Sequence, residues 1–218
     1  MYQRNDLAHS GQKKGKTKNL ANSGALLSEN LGQLLASSAS TGDFLLVCQD
    51  GEELACHKAL LIARSPTFAR GLASGMKESE EGRWVVRLAD GGEADRLAVK
   101  ELLNFIYTGK VFEGEKTNNN NNNNKMALEL LDLAAQYHLP DLIEASKAAA
   151  LKWLSPSNAV STLVQLDKYS SCSSDKGKTE VLTFIKNNVN DVVESDQWTM
   201  FVRNNDVLVT EIIKRLAI

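Results

Sequence analysis

The chain has 218 residues, 43% of them apolar and 24% charged, with a formal net charge of −2 at pH 7. This is the balance of an ordinary globular chain, with room for one medium domain or a small domain with an extension. It excludes a strong electrostatic pull toward nucleic acid or an anionic membrane, and no apolar run approaches bilayer-spanning length.

Residues 1–24 read as a polar tail. Its lysines Lys13, Lys14, Lys16 and Lys18 sit among Gly, Ser, Asn and Gln without an apolar period, the pattern of a solvated segment, with a nuclear-import signal as the lesser reading. The tail holds no secretory leader pattern, and three cysteines at wide spacing fit a reducing compartment. Cytosol or nucleus is the expected address. Leu27, Leu31, Leu34 and Leu35 recur at helical spacing and predict a short helix with a leucine stripe, followed by a Ser/Ala/Thr/Gly linker. DFLLVC (43–48) is an apolar run of strand length, and Asp50-Gly51 is a two-residue turn signal; together they predict a hairpin. In the returning strand Leu54 and Cys56 share a face, so Cys56 reads as a small buried residue.

After His57, the apolar positions Ala59, Leu60, Ile62 and Ala63 predict a helix. Ser65-Pro66 opens the next one, with proline where a missing N–H does no harm. That helix ends near Gly71, and residues 73–82 form a polar loop carrying Met76. WVVRL (84–88) is a strand. Val99, Leu102, Leu103 and Ile106 mark a helix stopped by Gly109. KVFEGE (110–115) reads as a short edge strand, and the seven asparagines at 118–124 as an exposed loop. From 125 onward the pattern is helical. Its apolar sets are Ala127, Leu130, Leu131 and Ala134; Leu142, Ser146, Ala149 and Trp153; and, after Ser155-Pro156, Ala159, Val160 and Leu163. Beyond SSCSSDKGK (170–178) come Leu182, Ile185 and Val189, then Trp198 and Phe201, then Leu208, Ile212 and Leu216. Short loops between these helices require antiparallel packing, and the aromatics Trp153, Trp198 and Phe201 read as core.

Cys56-His57 is the one place where a nucleophile and a base adjoin. Neighbours on a strand point to opposite faces, so the pair cannot readily meet. A zinc site needs four ligands, whereas Cys48, Cys56 and His57 supply at most three and no C-x-x-C pair exists. His9 and His138 add no motif. No glycine-rich phosphate loop, carboxylate pair or nucleophile–base set stands out. The chain is therefore expected to have no catalytic residue, no metal site and no cofactor.

The segments GDFLLV (42–47), DGEELACHKALLIARSPTF (50–68), VKELLNFIYTGKV (99–111) and ALELLDLAAQYHLPDL (127–142) resemble, in order, a BTB/POZ domain. FIKNNVNDVVESDQWTMF (184–201) and LVTEIIKRLA (208–217) resemble the 3-box or BACK helices behind the BTB domain of speckle-type POZ adaptors. The resemblance implies an α+β, mostly helical fold. A helical cluster with a small sheet would span 25–154, the Asn-run loop 118–124 included, and a BACK/3-box-like extension 155–218. It further implies a homodimer built on Leu27, Leu31, Leu34 and Leu60, with Asp43 and Arg64 as a charged pair beside the interface. Met76-Lys77-Glu78 fits the hydrophobic-x-Glu pattern of relatives that bind the N-terminal domain of cullin-3, and Tyr137, His138 and Leu139 match a secondary contact. Such proteins are non-enzymatic adaptors that bring a substrate protein to a cullin–RING ubiquitin ligase. A separate domain, commonly MATH or Kelch, holds the substrate, and the opening segment here is shorter than either. The alternative reading is a dimerisation scaffold, in transcriptional or cytoskeletal assembly, without cullin. Neither reading requires nucleic acid or membrane as a partner.

Overall fold

A computed structural model of the chain describes residues 13–73, 80–112, 119–169 and 176–216. Helix α1 (Lys13–Ala36) contains the predicted leucine stripe but begins well before it. The segment expected as tail is thus helical from Lys13. Once a turn is nucleated, each further residue adds one hydrogen bond, so the helix propagates back through a polar sequence with no stripe of its own. A short α2 (Ser38–Thr41) leads into the hairpin β1 (Phe44–Val47) and β2 (Glu53–Cys56). Gly51 supplies the positive φ of 79° in the turn. β3 (Arg83–Val85) completes a sheet of order β2-β1-β3, with β1 antiparallel to β2 and parallel to β3. The strand expected at 84–88 is shorter, continuing only as a bridge between Arg87 and Glu93.

Between the hairpin and β3 lie α3 (Lys58–Arg64) and α4 (Pro66–Ala73). Helix α5 (Arg96–Thr108) starts at Asp95, whose carboxylate accepts from Leu97 N–H, and stops at Gly109 with φ of 73°. Its buried face includes Val99, Leu102, Leu103 and Ile106, the predicted set. Residues 110–112 are not strand. Phe112 takes a φ of 59°, its N–H donates to the Glu101 carboxylate at 2.9 Å, and its ring meets Trp153 edge-on at 5.3 Å. The rest of KVFEGE lies outside the described residues.

Helix α6 (Asn120–Gln136) begins inside the asparagine run, which corrects the loop expected at 118–124. The Asn119 side chain caps it by accepting from Asn121 N–H at 2.9 Å. Asn123 and Asn124 are buried, and the Asn124 amide donates to Ala150 C=O at 2.9 Å and to the Thr162 hydroxyl at 3.2 Å. Composition alone marks asparagine as a loop former, but at a cap, and then against polar partners on two other helices, it is a helical residue. Helix α7 (Pro140–Lys152) returns antiparallel, with Pro140 at its first position.

One apolar core joins the sheet to α3–α7 through residues such as Phe44, Leu46, Leu61, Phe68, Leu102 and Leu130. A second core lies among α8 (Ala159–Lys168), α9 (Lys176–Asn187), α10 (Val189–Val193), α11 (Asp196–Asn204) and α12 (Asp206–Leu216). The helix expected to run through Val189 breaks at Asn188, whose side chain donates to Phe184 C=O at 2.8 Å. Lys178 ties three of these helices together through Asp167 at 2.7 Å and Glu211 at 2.8 Å. Ile143 packs against both cores, and buried Asp132 links them in polar fashion. It accepts from Ala89 N–H, Gln136, Gln165 at 3.2 Å, Lys168 at 2.7 Å and the Tyr169 hydroxyl. Among the described residues, no helix is long and apolar enough to cross a membrane.

Candidate protein-interaction surfaces

The Cys56-His57 pair is structural. Cys56 is fully buried, with its thiol directed at Phe44 C=O. Burial, reinforced by the Asp43 charge, pushes the thiol up to about 12; burial also raises Cys48 to about 11. A thiol so raised supplies almost no thiolate at neutral pH. The His57 ring is engaged elsewhere, its Nδ1 2.7 Å from the Tyr107 hydroxyl and its Nε2 3.1 Å from the Thr41 hydroxyl. Tyr107 itself is pushed up to about 12, chiefly by burial. Among the described residues no group of three or more His, Cys, Asp or Glu could hold a metal ion.

Two surfaces carry the residues singled out as interaction candidates. The first is on α1 and α3. Leu27 is 59% exposed, and its neighbour Leu26, which the stripe pattern missed, is 57% exposed. Leu31, Leu34 and Leu60 are half-buried and pack against the first core. Spacing shows that these leucines share a face, but cannot show how much of each the chain's own core covers. Ile62, exposed on α3, extends the apolar surface. Asp43 and Arg64 are not brought together. Asp43 accepts from Lys58 N–H at 2.8 Å and so caps α3, while Arg64 donates to Ile106 C=O at 3.1 Å. Within the chain both are anchors and do not pair with one another.

The second surface is an open groove of about 690 Å³ along β3, lined by residues including Thr67, Arg83, Trp84, Arg87 and Gln136. Met76 and Glu78, the residues predicted to engage a partner in the preceding loop, lie outside the described residues. Of the secondary trio only His138 is exposed. It takes a φ of 56°, and its Nδ1 lies 2.9 Å from the Thr67 hydroxyl on the groove wall. Tyr137 and Leu139 are buried, and Tyr137 forms part of the groove lining. Tyr137 stacks on Phe68 at 4.3 Å, its hydroxyl accepts from Trp84 at 3.1 Å, and burial pushes it up to about 12. Alternation about the α6–α7 turn puts His138 out and its neighbours in. A motif match carries no such sidedness.

Comparison with known proteins fits this anatomy. The BTB/POZ domain model matches residues 32–152, more than half of the chain, ending where α7 ends. TD and POZ domain-containing protein 1-like and TD and POZ domain-containing protein 1, both from Mus musculus, are each 33% identical over 192 residues, covering 88% of this chain and 48% of each relative. TD and POZ domain-containing protein 4 of the same species is 32% identical over 191 residues. The chain thus spans about half the length of the curated relatives it matches. The BTB domain of human gigaxonin aligns with 66% of this chain and 97% of its own at 19% identity and a TM-score of 0.38. With the family match covering the sheet and the helices from the end of α1 through α7, the chain belongs to the BTB/POZ family of protein-interaction modules.

Proposed function

We propose that the protein is a homodimeric adaptor that binds the N-terminal domain of cullin-3, as a component of a cullin–RING ubiquitin ligase. Self-association uses the leucine face of α1 with α3. The cullin site is the β3 groove together with Met76, Glu78 and His138. Ubiquitin transfer is left to partners, and a substrate protein is recruited by a further domain or partner. The observation that carries the reading is the exposure of Leu26 and Leu27 beside half-buried Leu31, Leu34 and Leu60. Large apolar side chains grouped on one side of a helix mark a contact surface, and each leucine fully buried there contributes about 1.5–3 kcal/mol. The groove supports the cullin half, because it offers a partner a concave face with Trp84 in its lining, and the segment that precedes β3 in sequence supplies an apolar side chain, Met76, to anchor that partner. In the same adaptor, residues 155–218 would act as a BACK-like extension.

Light scattering on the chain alone and with the cullin-3 N-terminal domain tests both halves. Leu26→Glu with Leu27→Glu should give a folded monomer with an unchanged circular-dichroism spectrum and a melting temperature that no longer depends on protein concentration. Met76→Asp should weaken the cullin complex about tenfold or more without changing the dimer. A dimer that never joins cullin-3 at micromolar concentration would leave the scaffold reading standing and sink the adaptor.

A further inference from the structure

Helix α1 has two faces. Leu27, Leu31 and Leu34 fall on one; Ala25, Ser28, Glu29, Gly32 and Ala36 fall on the other by helical spacing. The second face, with α5 and β2, walls an open groove of about 1090 Å³. β2 is an outer strand of the sheet. On the inner side, Leu54 and Cys56 stand opposite Leu46 and Phe44 and turn their main-chain groups toward β1, in phase with the bond from Cys48 N–H to Glu52 C=O. Antiparallel alternation then turns the N–H and C=O of Glu53 and Ala55 outward, toward the groove. Among the described residues these four groups have no hydrogen-bond partner. Leu35, Leu54 and Leu103 line the same groove. On its rim, Glu29 of α1 and Lys100 of α5 are exposed, and among the described residues neither is in an ion pair.

A row of unpaired main-chain donors and acceptors beside apolar side chains is the chemistry that recognises another main chain in extended form. A helix would not serve, because its own peptide groups are already paired and would leave these four unsatisfied. We propose that the β2 edge is a docking site for an extended peptide of a partner protein. Its main chain bonds to Glu53 and Ala55, one basic side chain faces Glu29 and one acidic side chain faces Lys100. The site lies on the side of α1 opposite the leucine stripe, so it is open in monomer and dimer alike and does not depend on cullin.

The test titrates the capped peptide Val-Lys-Val-Ala-Val-Asp-Val into the isotope-labelled full chain. Two twins, N-methylated at alternate residues in the two phases, run beside it. The parent should shift the Glu53 and Ala55 amide resonances and protect them from exchange, and at least one twin should bind about tenfold more weakly. Ala55→Pro removes an outward N–H while sparing the β1 ladder and should weaken the parent about tenfold. Glu29→Lys, an exposed change outside the sheet, should weaken it about threefold or more with the fold intact. No shift at Glu53 and Ala55 up to about 1 mM peptide, or equal binding by all three peptides, overturns the proposal. So would the same shifts on concentrating the protein alone, which would assign the edge to a second copy.

Discussion

Asp132→Ala removes a carboxylate whose side chain is 4% exposed and which gathers donors from both halves of the molecule. Ala89 comes from the segment after β3, Gln136 from α6, and Gln165, Lys168 and Tyr169 from α8 and its end. Breaking a buried charge pair costs about 3–5 kcal/mol, because the remaining partners stay desolvated. Lys168 is 43% exposed and can return to water, so its own share falls to the surface-pair scale of about 0–1 kcal/mol. The net loss should be about 2–4 kcal/mol, or about 5–15 °C in melting temperature for a chain of this size. Lys168→Met, which leaves the other donors in place, should cost about 1 kcal/mol or less. Burial alone would push the Asp132 carboxyl up, but the Ala89 N–H, the Lys168 ammonium and the Tyr169 hydroxyl override it and hold it below the usual aspartate range. A carboxyl lowered in the folded state stabilises fully above its unfolded pKa and loses that contribution as the pH falls through the lowered value. The gap between wild type and Asp132→Ala in thermal melts should therefore be widest at neutral pH and narrow in acid. A gap under about 1 kcal/mol at pH 7, or one matched by Lys168→Met, would refute the view that this carboxylate clasps the two cores together.

Further outcomes follow from burial. Asn124→Ala should lower the urea midpoint by the equivalent of about 1–3 kcal/mol, while Asn122→Ala, on an exposed position of the same run, stays within about 0.5 kcal/mol; equal effects would return the run to a loop. Ser146 is fully buried, and among the described residues its hydroxyl has no hydrogen-bond partner, so Ser146→Ala should be neutral or stabilise by up to about 1 kcal/mol, and a clear loss in the same assay would overturn this. In a Cys172→Ser background, Cys48 and Cys56 should resist thiol labelling at pH 8 and react only in step with unfolding, since burial holds them up to about 11 and about 12. Rapid labelling of the folded chain would revive a reactive cysteine.

Much of the fold was legible because periodicity reports which face of an element is apolar. The α5 stripe, stopped by a left-handed Gly109, and the hairpin, turned at Gly51, required only local rules. The misreadings came where local composition and tertiary context conflict. The asparagine run that opens α6 carries a loop signal until Ala150 and Thr162 meet the Asn124 side chain. The stacking of Tyr137 on Phe68 and its bond from Trp84 likewise join segments far apart in the chain, and no local pattern announces them.

By itself the sequence determined the order of most elements and the buried character of the hairpin and helix faces, because these depend on residues near one another along the chain. Only the tertiary structure decided which leucines remain uncovered, that Asp43 and Arg64 serve different elements, and that Asp132 joins two cores. Each of those facts depends on groups distant in sequence, and neither burial nor pairing is defined until the chain has folded around them.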